Sequence, residues 1–148
     1  MKISLSPRKV GGAFTLIEAV VAALLAGIVT AGLVSSFLQA HKTSEWSSYS
    51  LAGQGLALQC VEQARSAKWD PYSYPPVDQL VASNFPDRIE ILDVPVSGNS
   101  VVYATNRVTI RTVSEQPPLK QIKVQCTWTF PNKGTFTNTV MTYRAADQ

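Results

Sequence analysis

Residues 14–38 read FTLIEAVVAALLAGIVTAGLVSSFL. From Phe14 to Ala40 the only ionisable side chain is Glu18, and residues 19–38 form a predominantly apolar run. A helix rises about 1.5 Å per residue, so 20 such residues span roughly 30 Å, the hydrocarbon thickness of a bilayer. A cleavable secretory signal has an apolar core of only about 7–15 residues. The sequence therefore predicts a membrane-spanning helix.

The charge of the chain is unevenly distributed around this helix. The 148 residues carry a formal net charge of +3, and Lys2, Arg8 and Lys9 precede the apolar run without any acid. The other ten basic residues are matched by ten acidic ones. By the positive-inside rule, the N-terminus is predicted to be cytoplasmic and the rest of the chain extracytoplasmic. A hydrophobic share of 45% with 16% charged residues excludes a disordered tail.

Glu18 is unusual because it lies one turn into an apolar helix. A carboxylate inside the bilayer costs on the order of 2.5–3.5 kcal/mol on insertion scales unless it finds a partner. Two interpretations stay open from position alone. The residue either reaches back to the lipid headgroups, or it awaits a positive charge in an assembled state.

The residues around Glu18 carry a family resemblance. Residues 11–18, GGAFTLIE, resemble the processing site of type IV prepilins and type II secretion pseudopilins. The resemblance implies that a prepilin peptidase cleaves between Ala13 and Phe14, that Phe14 is then N-methylated, and that Glu18 pairs with the Phe14 amine of a neighbouring subunit. The family most often has Gly before the cut, so Gly12 offers a competing site. Residues 1–13 are then a leader, and residues 14–40 are the transmembrane and assembly half of a long helix.

The helical pattern continues beyond the membrane segment. Apolar or small residues recur at three- and four-residue spacing on one face: Trp46, Tyr49, Gly53, Leu56, Cys60, Ala64 and Ala67. One helix is therefore predicted from about Phe14 to about Lys68, with 41–69 as its amphipathic part. Gly27 and Gly32 fit either close helix packing in a filament or ordinary membrane-helix composition.

The remaining residues predict an antiparallel sheet after a proline-rich loop at 70–87. Period-two alternation marks strands at 88–94, 101–113, 120–130 and 135–143. In the first strand Ile89 and Ile91 lie opposite Glu90. In the second Val102, Ala104, Val108 and Ile110 are predicted to face inward, and in the third Ile122, Val124, Cys126, Trp128 and Phe130 share one face. The fold class is α+β, with a long helix on a meander of about four strands, and the family resemblance implies the pilin-like α/β roll for residues 41–148.

The two cysteines, Cys60 and Cys126, are predicted to meet in the core. Two alternatives stay open: a disulfide, which a periplasmic domain permits, or two buried thiols. No metal, cofactor or catalytic residue is predicted, and the chain is not expected to be an enzyme. The densest acids, Asp87, Glu90 and Asp93, are a weak match to a calcium site. His41 is interpreted as an anchor at the membrane interface.

The family resemblance implies a structural role. Residues 119–128 are loosely similar to a later strand of minor pseudopilins, which favours a minor subunit of a type II secretion-like filament in the inner membrane and periplasm. Expected partners are other pilin or pseudopilin subunits, the prepilin peptidase and an inner-membrane assembly platform. One alternative is a minor pilin of a type IV pilus or DNA-uptake machine, for which the sequence offers only a diffuse basic patch: Arg107, Arg111, Lys120, Lys123 and Lys133. The other alternative is a signal-anchored periplasmic binding domain.

Overall fold

A computed structural model describes residues 15–92, 94, 101–131 and 133–147. The chain divides into two compact units, Met1–Lys42 and Thr43–Gln148. The elements in the described residues are a long helix, six strands and a short 3-10 helix: α1 (Leu16–Ser66), β1 (Trp69–Asp70), β2 (Val77–Asp78), the 3-10 helix (Ala82–Asn84), β3 (Arg88–Ile91), β4 (Tyr103–Glu115), β5 (Pro118–Phe130) and β6 (Gly134–Ala145).

The long helix α1 begins and ends within about two residues of its predicted bounds. Its last turn contains Arg65, whose positive charge suits the negative end of the helix dipole. In the second unit, one face of α1 is buried against the sheet through residues at three- and four-residue spacing: Tyr49, Gly53, Ala57, Cys60, Val61 and Ala64. Leu56 and Ala67 are partly buried against the same core, and Trp46 stays 38% exposed at its edge.

Strands β3 to β6 form an antiparallel sheet in sequence order, so the predicted four-stranded meander is confirmed. Strand β5 pairs along its length with both β4 and β6. The alternation in β5 is the clearest in the chain, because Ile122, Val124, Cys126, Trp128 and Phe130 are all buried while the residues between them are not. An apolar helix face laid on an apolar sheet face gives an α+β domain with one core.

The alternation of β3 holds, but its isoleucines face solvent. Ile89 and Ile91 are 73% and 61% exposed, and Glu90 points to the helix side. Glu90 lies opposite Ala104 in the register of β3 and β4, and its carboxylate accepts a hydrogen bond from Asn106 Nδ2 at 2.7 Å. That bond satisfies the acid on the inner face, which lets the isoleucines lie outside.

Residues 70–87 are more structured than the predicted loop. Strands β1 and β2 pair as a small hairpin, and Asp70 Oδ1 accepts from the main-chain N–H groups of Tyr72 and Ser73 at 3.0 Å each. Lys120 fastens this segment to the sheet. Its ammonium group pairs with Asp78, donates to the carbonyl of Leu80 at 2.8 Å, and lies 4.8 Å from the centre of the Trp69 ring.

Aromatic rings fill the end of the core where α1 enters the second unit of the chain. Trp128 stacks on Phe136 at 5.1 Å between ring centres, and Tyr49 meets Phe130 edge-on at 5.1 Å. Trp46 contacts Phe136 edge-on at 5.9 Å from the exposed side. Such pairs contribute about 0.5–1.5 kcal/mol each beyond the area that they bury. The rings therefore fix the helix on the sheet at this end.

Candidate membrane and assembly segment

The N-terminal end of α1 is capped by Thr15. The main-chain N–H of Glu18 lies 3.1 Å from the carbonyl oxygen of Thr15 and 3.4 Å from its hydroxyl. Thr15 and Glu18 have the spacing of a capping box, and an acid in the first turn suits the positive end of the helix dipole. Glu18 is exposed, and its carboxylate has no partner in the part of the chain that the structure describes. Ala13 and Phe14 lie outside the described residues.

The first half of α1 exposes its apolar side chains on every side. Large apolar residues from 16 to 38 are between 49% and 86% exposed: Leu16, Ile17, Val20, Val21, Leu24, Leu25, Ile28, Val29, Leu33, Val34, Phe37 and Leu38. A helix that is apolar all round requires an apolar environment, either lipid or other helices. Helix α1 is long and apolar enough to cross a membrane by length and composition.

The polar and small residues of this segment suit the same environment. The Thr30 hydroxyl donates to the carbonyl of Ala26, so its hydrogen bond is made inside the helix. A Cβ atom added at Gly27 or Gly32 would meet nothing within 4 Å. No contact among the described residues therefore requires glycine at either position. His41 lies exposed on α1 just after the apolar residues, where an interfacial anchor was predicted.

The cysteines meet in the core as two free thiols, which is the second of the two alternatives. Cys60 is 5% exposed and Cys126 is fully buried. Burial raises the pKa of Cys126 to about 11, with further contributions from Cys60 and Glu90. A thiol with so high a pKa is a poor nucleophile. The pair therefore packs as small hydrophobic groups in this structure.

Two of the three acids considered for calcium bind other side chains. Asp87 Oδ2 accepts from Arg107 Nε and Nη2 at 2.9 and 2.7 Å, and that hydrogen bonding lowers the pKa of Asp87. Glu90 is bound to Asn106, and Asp93 lies outside the described residues. Within residues 15–92, 94, 101–131 and 133–147, no group of three acidic, histidine or cysteine residues is placed to hold a metal ion.

The diffuse basic patch loses two of its members. The side chain of Lys120 is 8% exposed and faces the hairpin β1–β2, whereas Arg107 is paired with Asp87. Arg111, Lys123 and Lys133 remain without an ion pair among the described residues. Arg111 and Lys123 are diagonal neighbours in the register of β4 and β5, and Lys133 lies in the turn before β6. These three cations offer little of the continuous positive surface that nucleic acid requires.

Sequence reasoning missed Asn106, a fully buried polar residue within an apolar alternation. Its Nδ2 is bound to Glu90, and its Oδ1 has no hydrogen-bond partner among the described residues.

The chain matches no family model, no curated protein and no solved structure. Function is therefore inferred from the residues and geometry described above.

Proposed function

We propose that the protein is a structural subunit of a pilin-like filament, and specifically a minor pseudopilin of a type II secretion-like system. In this proposal residues 1–13 are removed by a prepilin peptidase, and Phe14 becomes the N-methylated first residue. Residues 14–40 hold the subunit in the inner membrane. The domain after them is a pilin-like roll in the periplasm, and its role is structural and not catalytic.

One observation carries the proposal. Glu18 stands exposed, and its carboxylate has no partner among the described residues, at the start of the segment 16–38, whose large apolar residues are all exposed. A lone carboxylate in an apolar environment is costly, and a positive charge from a neighbour removes that cost. The terminal amine of Phe14 on an adjacent subunit is such a charge. Assembly would therefore give the Glu18 carboxylate a positive partner that the described residues do not supply.

Mass spectrometry of the membrane-bound protein tests the processing step. We expect cells with an active prepilin peptidase to yield a chain that begins at N-methylated Phe14. Cells without the peptidase should yield the full precursor. An Ala13→Leu variant should resist cleavage because the residue before the cut must be small, whereas Ala13→Gly should be cut normally. An intact residue 1–13 segment in peptidase-positive cells would contradict the proposal.

Substitution of Glu18 tests assembly separately from processing. Glu18→Gln keeps the size of the side chain and removes the charge, so we expect normal cleavage and membrane insertion but loss of cross-linked filament species. Glu45→Gln is a matched control, since Glu45 is also an exposed glutamate on α1 but lies outside the apolar segment. Normal assembly of Glu18→Gln would instead favour a signal-anchored binding domain.

A further inference from the structure

Asn106 is a buried amide that uses only one of its two polar ends within the described residues. Its side chain is on the helix side of β4, where the residue is 1% exposed, and its Nδ2 donates to Glu90 Oε2 at 2.7 Å. A carboxylate accepts hydrogen bonds, so the amide must turn its nitrogen towards Glu90. Oδ1 is therefore turned away from Glu90, and it accepts no hydrogen bond from any described residue. Buried oxygens normally accept from a protein group or from an ordered water molecule.

A small cavity adjoins Asn106 on the helix side of the sheet. Its lining includes Cys60 and Gln63 from α1, Arg88 from β3, and Asn106 and Val108 from β4. Glu90 does not line it. The side of the Asn106 amide that faces the cavity is therefore the side that carries Oδ1.

The size of the cavity suits one water molecule. Its volume is about 10 Å³, close to the roughly 10–15 Å³ that a single internal water requires. A larger ligand does not fit. Internal waters usually make two to four hydrogen bonds, so the lining must offer more than one polar group.

The lining offers a second polar group on the helix. Burial raises the pKa of the Cys60 thiol, so the thiol stays protonated at neutral pH and can donate as well as accept weakly. The side-chain amide of Gln63, one turn further along α1, is a third polar group in the lining. A water in the cavity would thus have partners on both the sheet and the helix.

The rim of the cavity gives access to solvent. Gln63 and Arg88 are exposed, whereas Cys60 and Asn106 are buried, so the cavity leads from the surface towards the core. Arg88 Nη1 donates to Gln63 Oε1 at 3.2 Å and so joins β3 to α1 at the rim. Water can enter here without any change in the strand pairing.

We propose that this cavity is a binding site for a single water molecule that donates to Asn106 Oδ1 and bridges it to the Cys60 thiol. The water completes the hydrogen bonding of the one buried amide on β4. It also joins the sheet to α1 beneath the hydrogen bond between Arg88 and Gln63. This inference is independent of the proposed role in a filament.

NMR of the full-length chain in detergent micelles tests the proposal. With labelled valine methyl groups, nuclear Overhauser effects from water are measured in the laboratory and rotating frames, because their relative signs separate a bound water from rapidly exchanging surface water. We expect the bound-water signs at Val108. Val124 is the matched control, since it pairs with Val108 in the register but is fully buried and does not line the cavity. No bound-water signal at Val108, or equal signals at both valines, would overturn the proposal.

Two variants of Cys60 locate the water. Cys60→Val adds a methyl group to the lining and removes a polar partner, so the bound-water signal at Val108 should be lost. Cys60→Ser keeps a small polar group and should retain the signal. An unchanged signal in Cys60→Val would place the water elsewhere and overturn the proposal. Contacts from the Gln63 amide protons to Val108, in place of water, would make Gln63 the donor and also overturn it. The measurement on the unchanged protein decides the proposal if a variant does not fold.

Discussion

Asn138 Nδ2 lies 3.2 Å from the main-chain carbonyl oxygen of Ser50, and this hydrogen bond joins β6 directly to α1. The same amide donates to the Ser50 hydroxyl at 3.2 Å, and its oxygen accepts from Trp128 Nε1 at 2.6 Å. Trp128 in turn lies against Gly53, where a Cβ atom would come within 2.9 Å of the indole. The side-chain amide of Asn138 and the absence of a side chain at Gly53 thus set the distance between the helix and the sheet.

Gly53→Ala should destabilise the domain although alanine favours helices. The new methyl group would meet Trp128 Cδ1 and Nε1 at 2.9 Å, and that ring is held by Asn138. We expect a net loss of up to about 2 kcal/mol, since overpacking of a core costs about 1–3 kcal/mol and the helix propensity gain is about 1 kcal/mol. Chemical denaturation followed by tryptophan fluorescence measures it.

Gly55→Ala is the matched control. A Cβ atom there meets nothing within 4 Å, so we expect unchanged or increased stability, by up to about 1 kcal/mol. If Gly53→Ala were as stable as Gly55→Ala, the close approach of Trp128 to the helix would be wrong.

Lys120→Met should loosen the hairpin β1–β2 while leaving the sheet folded. The variant keeps the length of the buried stem but removes the hydrogen bond to Leu80 and the ion pair with Asp78. Since Asp78 is 43% exposed and can be solvated, we expect a loss of only about 1–3 kcal/mol. Hydrogen exchange should show faster exchange in β1 and β2. Lys123→Met, at a partly exposed site that forms no ion pair with any described residue, should change stability by less than about 0.5 kcal/mol.

Cys60 and Cys126 should resist labelling in the folded protein. Because burial raises the pKa of Cys126 to about 11, roughly one thiol in a thousand is ionised at pH 8. We expect a thiol reagent to modify neither cysteine in native protein and both after denaturation. Rapid native labelling of Cys126 would contradict its burial. Labelling that needs a reductant as well as a denaturant would show that the pair forms a disulfide.

Acid should weaken the interactions that Asp147 makes with Trp69 and Arg144. The N–H of Trp69 donates to Asp147 Oδ2 at 2.9 Å, and this bond, followed by that from Arg144, lowers the pKa of Asp147 below its ordinary 3.8. A carboxyl group whose pKa is lowered by folding stabilises the folded state at any pH above its pKa in the unfolded chain. This contribution is lost as the pH falls through the pKa of the group in the folded protein. Asp147→Asn should therefore reduce the pH dependence of the denaturation midpoint below about pH 4. If the denaturation midpoint of the variant fell with acid as steeply as that of the unchanged protein, Asp147 would not make these hydrogen bonds.

The spacing of apolar residues predicted those parts of the fold in which one face of a helix or strand is buried. The apolar alternation of β5 gave its buried face, and the helix face at Tyr49, Gly53 and Cys60 followed from three- and four-residue spacing. Both predictions succeed because side chains return to the same face at a fixed period, every two residues in a strand and about every 3.6 residues in a helix. The membrane-spanning length of α1 could likewise be read from its uninterrupted apolar run.

The remaining features depend on contacts between distant residues. The outward direction of Ile89 and Ile91 depends on Asn106, which receives Glu90 on the inner face. The hairpin β1–β2 is too short for a periodic signal and is held by Lys120, about forty residues later. The hydrogen bond between Asn138 on β6 and Ser50 on α1 joins residues far apart in the chain, and spacing along the chain does not contain that information.

The sequential order of β3 to β6 has a consequence for how the domain is made. Each strand pairs with its neighbour in the chain, and β4 and β5 are joined by only Gln116 and Pro117. Low contact order of this kind lowers the entropy of loop closure and speeds folding. The sheet can thus assemble early, as a template on which the aromatic end of α1 settles last. The helix could therefore separate from the sheet and dock again without breaking the strand pairing.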